Sequence, residues 1–173
     1  MSKVITVTLS EQGIKEAIKE LQEYRKWVED KTNALMEKLA IIGAQEAAVR
    51  FAAAPYDGVN DSHVSAVPTA NGWKIVASGE AVAFIEFGAG VYHNPQEPYP
   101  RRPAGVSGIG EYGRGLGKRQ GWTYEGAPGT SGSVLPNGRV FTRGNPASMP
   151  MWYASQEITN RVTQIAREVF GGG

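Results

Sequence analysis

The feature that most constrains the fold of this chain is a stretch rich in glycine and proline between Gly88 and Asn145. It contains most of the chain's 22 glycines and 10 prolines. Proline removes a backbone donor and glycine loses much conformational entropy on ordering, so this composition excludes a long helix or a central strand. The sequence therefore predicts an extended loop over residues 88–145. A loop of more than about 15 residues inside a compact domain is usually functional, or disordered until a partner binds.

The chain before this loop has the patterns of ordinary folded structure. Residues 3–9 alternate good β-forming side chains and predict a strand. Ser10 then offers a hydroxyl to cap a helix. The helical region predicted over residues 11–54 ends before Pro55, because the residue that precedes a proline is disfavoured in the α conformation.

Within this helical region, apolar side chains recur at an unbroken interval of seven: Ile14, Leu21, Val28, Leu35, Ile42 and Val49. Such a row is expected of a helix that packs along one seam. A single helix over this region would be roughly 64 Å long, whereas a compact domain of this size has a radius of gyration of about 15–16 Å. We therefore expect the helix either to break near residues 23–33 or to protrude and pack on another subunit.

Residues 62–87 have the pattern of a small antiparallel β-meander. Asn71 and Gly72 form a strong hairpin signal between two segments of alternating side chains. Residues 81–87 are expected to add the third strand of this meander.

After the loop, residues 140–142 predict an edge strand and residues 148–170 predict an amphipathic C-terminal helix. Ser148 is a candidate N-cap for this helix, and Pro150 is tolerated in its first turn. Taken together, these patterns predict one α+β domain over residues 1–173, with a long loop between the sheet and the last helix.

The bulk composition excludes several classes of protein. The net charge is +1, so the charge of the whole chain favours no particular partner. The absence of cysteine excludes disulfides, thiolate zinc sites and a cysteine nucleophile, and it agrees with synthesis in a reducing cytoplasm. No stretch approaches about 18 consecutive apolar residues, and the N-terminus lacks the pattern of a signal peptide. We therefore expect neither membrane insertion nor secretion by a signal peptide.

The loop has a charge and an aromatic content of its own. Between Gly88 and Gly144 the acidic residues are only Glu97, Glu111 and Glu125, against seven basic residues. Five of these cations are interleaved with aromatic side chains: Arg101, Arg102, Arg114, Lys118 and Arg119, with Tyr99, Tyr112, Trp122 and Tyr124. This composition is typical of surfaces that bind single-stranded nucleic acid, and also of protein interfaces. The two interpretations are compatible if the loop faces a channel through which DNA passes.

No motif in the chain predicts a cofactor or a metal. Residues 108–113 spell G-I-G-E-Y-G, but a dinucleotide site needs a strand before this motif and a helix after it. Gly117 and Lys118 lack the Ser or Thr that completes a phosphate-binding loop. His63 and His93 have no carboxylates at ligand spacing. We expect no cofactor, no metal and no catalytic residue.

Glu86 is the most informative acidic residue, because it lies among apolar neighbours in residues 84–88, F-I-E-F-G. An acid in an apolar setting can have a raised pKa and act as a general acid. It can also pair with an arginine, or accept hydrogen bonds from backbone N–H groups at the end of the strand predicted at residues 81–87. The second interpretation is favoured, because no second carboxylate is fixed near it in sequence, as glycosidase chemistry requires.

Residues 83–90, A-F-I-E-F-G-A-G, resemble the aromatic-x-Glu-aromatic-Gly-Thr/Ala-Gly signature of the minor tail or tail-completion proteins of tailed bacteriophages, which lie at the neck between head and tail. Further segments are similar to the version found in phages and phage-derived particles of Gram-positive bacteria: residues 99–100 (Y-P), 109–113 (I-G-E-Y-G), 122–124 (W-T-Y), 142–147 (T-R-G-N-P-A) and 149–154 (M-P-M-W-Y-A). The resemblance covers nearly the whole chain. Ala89 departs from it, because the family commonly has threonine there.

The resemblance implies a structural subunit of the virion, made in the host cytoplasm, that forms a closed and often hexameric ring at the head-proximal end of the tail. Its implied partners are further copies of itself and neighbouring connector, tail-terminator or tail-tube proteins, with non-specific contact to DNA in the channel. The resemblance carries over no catalytic residue.

We expect the subunit interface to involve the two ends of the loop and its basic and aromatic side chains: Glu86, Phe87, Gly88, Arg101, Arg102, Tyr112, Arg114, Lys118, Arg119, Trp122, Tyr124, Arg143 and Asn145. Two other functions are alternatives to the tail-completion subunit. One is a phage-associated hydrolase that uses Glu86, and the other is a sibling tail-terminator or connector ring protein.

Overall fold

The computed structural model describes residues 4–89, 121–129 and 132–171. These residues form helices and two small antiparallel sheets, which agrees with the predicted α+β class. In chain order the elements are α1 (Glu11–Ala53), β1 (His63–Thr69), β2 (Gly72–Ser78), α2 (Val82–Phe87), β3 (Trp122–Tyr124), β4 (Ser133–Val134), β5 (Val140–Thr142) and α3 (Pro150–Gly171).

The predicted N-terminal strand is wrong for the described residues 4–9, which form no strand. A strand is stabilised by a neighbouring strand that pairs with its backbone, and none of the described strands pairs with this segment. The predicted helix start is confirmed, because the Ser10 hydroxyl accepts a hydrogen bond of 3.1 Å from the backbone N–H of Gly13. The helix end before Pro55 is confirmed as well.

Helix α1 runs for 43 residues without a break, so the predicted interruption near residues 23–33 is wrong. Poor helix formers there cost at most about 0.7 kcal/mol each relative to alanine, and local contacts compensate. The ring of Trp27 stacks on Tyr24 with centroids 5.7 Å apart and meets Phe170 of α3 edge-on at 5.8 Å. Arg25 also pairs with Glu29 one turn further along.

The C-terminal half of α1 lies between α3 and the hairpin of β1 and β2. A Cβ atom on Gly43 would lie only 2.5 Å from Ile158 of α3 and equally close to Ile75 of β2. The missing side chain therefore lets both elements approach the helix. The two helices are antiparallel, since Arg50 lies over the ring of Tyr153 while α3 ends near the N-terminal half of α1.

The buried face of α1 differs from the row with the interval of seven. Buried residues of this half are Ala40, Gly43, Ala44, Ala47 and Phe51, whose spacing follows the period of a straight helix. A strict interval of seven drifts by about 20° per repeat around such a helix. Val49 at the end of that row is accordingly 67% exposed, whereas Phe51 is 1% exposed. The main hydrophobic cluster therefore forms around Ala47 and Phe51, with Ala81, Ile85 and Ala154.

The predicted hairpin is confirmed, with its turn one residue earlier than expected. Thr69 pairs with Gly72, so Ala70 and Asn71 form the turn. The predicted third strand of the meander is wrong, because these residues form helix α2 instead. The carboxylate of Asp61 accepts hydrogen bonds from the backbone N–H groups of Glu80 and Ala81, at 2.8 and 2.9 Å. These bonds fix the two residues just before α2, and they come from outside the segment, so the local pattern did not reveal the helix.

A second sheet lies within the range predicted to be loop. Strand β5 is its centre, with β3 and β4 on either side, so the prediction of an edge strand at residues 140–142 is correct about the strand and wrong about its position. The prediction of a structureless loop is wrong for these strands. They are only two or three residues long, and such short strands fit between the glycines and prolines. Among the described residues, no helix is both long enough and apolar enough to cross a membrane.

A substitution pair tests which row of α1 forms the core. Phe51→Ala removes a fully buried ring and is expected to lower the free energy of unfolding by about 3–5 kcal/mol. Val49→Ala, two residues earlier on the exposed side, is expected to change it by no more than about 0.5 kcal/mol. Urea unfolding, at a dilution where the chain is monomeric, measures both values. Equal losses would mean that the row with the interval of seven is part of the core.

Candidate functional site

The two ends of the predicted loop are held against each other. The backbone N–H of Ala89 donates to the carbonyl of Asn145 at 2.9 Å, and the N–H of Ser148 donates to the carbonyl of Ile85, also at 2.9 Å. The side-chain amide of Asn145 donates to the carbonyl of Phe84 at 2.8 Å. We call these two segments, residues 84–89 and 142–148, the loop base. Ser148 is thus part of the loop base, and the prediction that it caps α3 is wrong.

Glu86 supplies the cap of α3. Its carboxylate accepts hydrogen bonds from the backbone N–H groups of Met151 at 2.8 Å and Trp152 at 3.1 Å. The first N–H groups of a helix lack partners within the helix and carry partial positive charge, so a carboxylate there is favourable. Of the two expected kinds of partner, an arginine or backbone N–H groups, Glu86 binds the second. These N–H groups belong to the start of α3 and not to the end of the strand predicted at residues 81–87.

The burial of this carboxylate sets its protonation. Glu86 is only 3% exposed, and burial raises its pKa above the usual value of a glutamate, while the bonds from Met151 and Trp152 oppose that shift. Desolvation is the larger effect, because loss of water disfavours the charged form.

Gly88 lets the two halves of the loop base come together. Its φ is +72°, a conformation that side chains other than glycine rarely adopt. A Cβ atom there would lie 2.8 Å from the backbone nitrogen of Ala147 and 3.1 Å from the carbonyl oxygen of Asn145. Glycine is therefore required both by the conformation and by the close approach of the second segment.

A buried hydrogen-bond chain joins the loop base to the segment after α1. The hydroxyl of Thr142 donates to the carboxylate of Asp57 and accepts a bond of 2.8 Å from the N–H of Gly144. Asp57 and Thr142 are both buried. Gly129 packs directly on the backbone of residues 56–58, so the second sheet is attached to the body at two points.

Trp122 and Tyr124, which are predicted to lie at the subunit interface, lie on β3 at the edge of this sheet and are partly buried. The Tyr124 hydroxyl donates to the carbonyl of Ala127 at 3.2 Å. Burial raises the pKa of the Tyr124 hydroxyl, and the nearby charge of Asp57 adds to this effect. The Tyr124 side chain thus fixes the turn that follows β3.

A cavity of about 840 Å³ lies between the second sheet and the segment after α1. Arg139 on its wall donates from Nη2 to the carbonyl of Thr123 at 3.1 Å, and its buried Nε has no partner within the described parts of the chain. Acidic residues also line the cavity: Asp57, Asp61, Glu80 and Glu125. Across the described ranges, no three histidine, cysteine or acidic residues are grouped so as to hold a metal ion.

The structure brings together only some of the predicted interface residues. Glu86, Gly88 and Asn145 are buried in the loop base, where Phe87 is partly buried and Arg143 is exposed. Six others lie outside the described residues: Arg101, Arg102, Tyr112, Arg114, Lys118 and Arg119. His93 lies there too, whereas His63 begins β1.

Asp57 and Asp61 are two structural residues that the sequence argument missed. Asp61 precedes α2 by some 20 positions, and the partner of Asp57 lies 85 positions away. An aspartate in a turn is an ordinary sequence feature, so no local signal distinguishes either role.

The chain matches no protein-family model, no curated protein sequence and no solved structure.

Glu86→Gln tests the cap of α3. A glutamine keeps the shape but has only one acceptor oxygen, and its NH₂ group opposes one of the two backbone donors. We expect the free energy of unfolding at neutral pH to fall by about 1–3 kcal/mol and the amides of Met151 and Trp152 to exchange faster. Glu80 is an exposed acid just before α2, the helix that carries Glu86. Glu80→Gln is therefore the matched control and should leave the free energy of unfolding and the amide exchange rates unchanged.

The same variant has a defined pH dependence. Because the pKa of Glu86 is raised in the folded chain, the unfolded chain loses this proton first as the pH rises. The stability of the wild-type chain relative to Glu86→Gln should therefore be greatest below the ordinary glutamate pKa and decline as the pH rises through the folded value. A difference that grows with rising pH would contradict the burial of this carboxylate.

Gly88→Ala tests the close contact in the loop base. Gly138 has a similar φ of +78° but no neighbouring atom within 4 Å of a built Cβ. Gly138→Ala is thus expected to cost only the conformational strain, about 1 kcal/mol. Gly88→Ala should cost about 1–3 kcal/mol more because of the clash with Ala147. Chemical denaturation of both variants gives this difference directly, and equal costs would argue against the contact.

Proposed function

We propose that this chain is a structural subunit of a phage or phage-tail-like particle, which forms a ring at the neck and takes part in head–tail joining or tail completion through its long loop. The observation that carries the proposal is the loop base. Residues 83–90 and 142–147 resemble the signature of tail-completion proteins, and residues 84–89 of the first segment hydrogen-bond to residues 145–148. The resembling residues thus have a common structural purpose, which is to hold both ends of one long loop.

A fixed loop base suits an assembly protein. The basic and aromatic segment between residues 90 and 120 starts and returns at a point set by buried hydrogen bonds. A segment attached in this way can bind a neighbouring subunit or a connector protein without a change in the fold of the rest of the chain. Its positive charge also favours non-specific contact with DNA in a channel.

The acidic residues support a structural role over the hydrolase alternative. Both oxygens of Glu86 accept backbone hydrogen bonds from α3, and both oxygens of Asp61 accept them from Glu80 and Ala81, just before α2. Asp57 accepts the hydroxyl of Thr142. Hydrolysis by a pair of carboxylates needs groups free to donate and accept protons at the substrate, whereas these three are engaged in holding the fold.

The length of α1 also supports assembly. Its first sixteen residues extend past the end of α3 and past the hairpin, since α3 ends against Trp27 and the hairpin turn lies against Met36. A protruding helix of this kind can pack on a neighbouring subunit of a ring, whereas an isolated enzyme offers it no surface to pack on. A sibling tail-terminator or connector ring protein would use the same features, so it is a variant of the same proposal.

Replacing residues 91–119 with about six Gly/Ser residues, a flexible linker of roughly 13 Å, tests the role of the loop. Gly121 lies against Thr142 and Ala89 is bonded to Asn145, so the two ends to be joined are close. We expect the circular-dichroism spectrum and the urea midpoint to stay near those of the wild-type chain. Incorporation into tails, measured by complementation of a phage that lacks the gene, should be lost.

A linker of the same composition inserted at the exposed turn around Gly138 is the control for chain disruption. If the shortened chain supports full tail assembly, the loop is not the joining element. If the wild-type chain instead hydrolyses cell-wall polymers and Glu86→Gln abolishes this turnover while assembly persists, the hydrolase alternative is correct.

A further inference from the structure

The protruding half of α1 carries a row of large apolar side chains that no described element covers. Ile14, Ile18 and Leu21 are 45%, 49% and 53% exposed, and their spacing of four and three places them in one line along the helix. We call this line the ridge. Leu9 and Val7, which precede the helix, are also exposed. Monomeric proteins rarely expose contiguous apolar patches larger than a few hundred Å².

The ridge continues the packed side of α1. At about 3.6 residues per turn, Ile14 and Leu21 fall on the same side of the helix as Gly43 and Ala47, which face α3 and the hairpin. This side is covered by other elements in the C-terminal half. In the N-terminal half Ala17 is buried, whereas the larger Ile14, Ile18 and Leu21 stay about half exposed. The apolar side of α1 therefore extends further towards the N-terminus than the elements that pack on it.

A second unpartnered line lies on the opposite side of α1 near its C-terminal end. Ile41, Gln45, Ala48 and Ala52 are all exposed and fall at successive turns of the helix. We call this line the small-residue face. The only charged residues between positions 39 and 53 are Glu46 and Arg50, which pair with each other at 2.6 Å. The face is thus uncharged, and its alanines allow another helix to approach closely.

We infer that the ridge of one copy of this chain docks on the small-residue face of a second copy. Inside the chain, α1 already packs in this way, since the large side chains of Ile75 and Ile158 lie against Gly43. Large residues entering a surface of small ones is the general mode of close helix packing. The large side chains of the ridge match the space above Ala48 and Ala52, and neither line contains a charged residue.

The geometry makes this contact head-to-tail. The ridge and the face lie on opposite sides of the same helix and are separated by about 27 residues, or roughly 40 Å. One chain therefore cannot satisfy its own two surfaces. A contact between two different surfaces closes into a ring or continues as a filament. The inference rests on the proposed ring function and names the surfaces that form the ring.

The ridge supplies part of the apolar surface that one such contact needs. A stable interface buries about 800 Å² per partner, and the exposed Leu9 and Val7 next to the start of α1 can add to it. Each subunit of a ring makes two contacts, one through the ridge and one through the face, so closure of the ring adds stability beyond that of a single pair.

Complementary variants test the inference. Leu21→Glu places a charge in the ridge, and Ala48→Glu places one in the small-residue face. Both positions are exposed, and glutamate is a good helix former, so the circular-dichroism spectrum should not change. By sedimentation velocity, each variant alone should be a monomer under conditions in which the wild-type chain is a larger oligomer. Gln12→Glu, on the other side of the protruding segment, is the charge control and should keep the wild-type mass.

Mixing the two variants gives the decisive measurement. The Ala48→Glu chain keeps an intact ridge and the Leu21→Glu chain keeps an intact face, so an equimolar mixture should form a species of twice the monomer mass. A mixture that stays monomeric overturns the inference. So does a wild-type chain that is monomeric at its highest soluble concentration, or an Ala48→Glu variant that keeps the wild-type mass, as a ridge-to-ridge dimer would.

The absence of cysteine in the chain permits a direct check of the contact. A mixture of Leu21→Cys and Ala48→Cys chains should form the mixed disulfide dimer under mild oxidation in preference to either homodimer. Random proportions of the three dimers would contradict the docking.

The docking and the proposed function can fail separately. If the wild-type chain forms this ring but does not enter tails, the proposed function is wrong and the docking is right. If the Leu21→Glu chain enters tails at the wild-type level, the docking is wrong and the proposed function is right.

Discussion

The bond between the Glu86 carboxylate and the first N–H groups of α3 is the contact on which the arrangement of this chain depends. A helix begins with donors that have no partners inside it, and here the partner comes from a residue 65 positions earlier. The position of α2, which carries Glu86, is therefore tied to the start of α3. Met149, just before α3, has a φ of +52°, a strained value that the surrounding bonds stabilise.

Closure of the loop follows from that bond. Once α2 and the start of α3 are adjacent, the segments beside them pair through Ala89 and Asn145, and Gly88 provides the space. The cost of closing a long loop grows only with the logarithm of its length, so a few buried hydrogen bonds hold a long insertion. The second sheet is then fixed to the body through Thr142 and Asp57.

Helix α1 combines two kinds of surface that serve different purposes. Its buried row of small residues lets α3 and the hairpin pack closely, and this builds the core around Phe51. The large apolar residues of the ridge are instead exposed. One helix therefore contributes both the small residues of the core and the exposed apolar side chains on which the proposed docking rests.

The sequence by itself determined the features that depend on residues a few positions apart: the cap at Ser10, the helix end before Pro55, the hairpin to within one residue of its turn, and the C-terminal helix. It also singled out Glu86, for which backbone N–H groups were one of two expected partners. Only the tertiary structure decided that residues 82–87 form a helix, that residues 122–142 contain a sheet and that Gly43 rather than Val49 faces the core. The physical reason is distance along the chain, because Asp61, Asp57 and Glu86 bond to partners some 20 to 85 positions away, which no local pattern records.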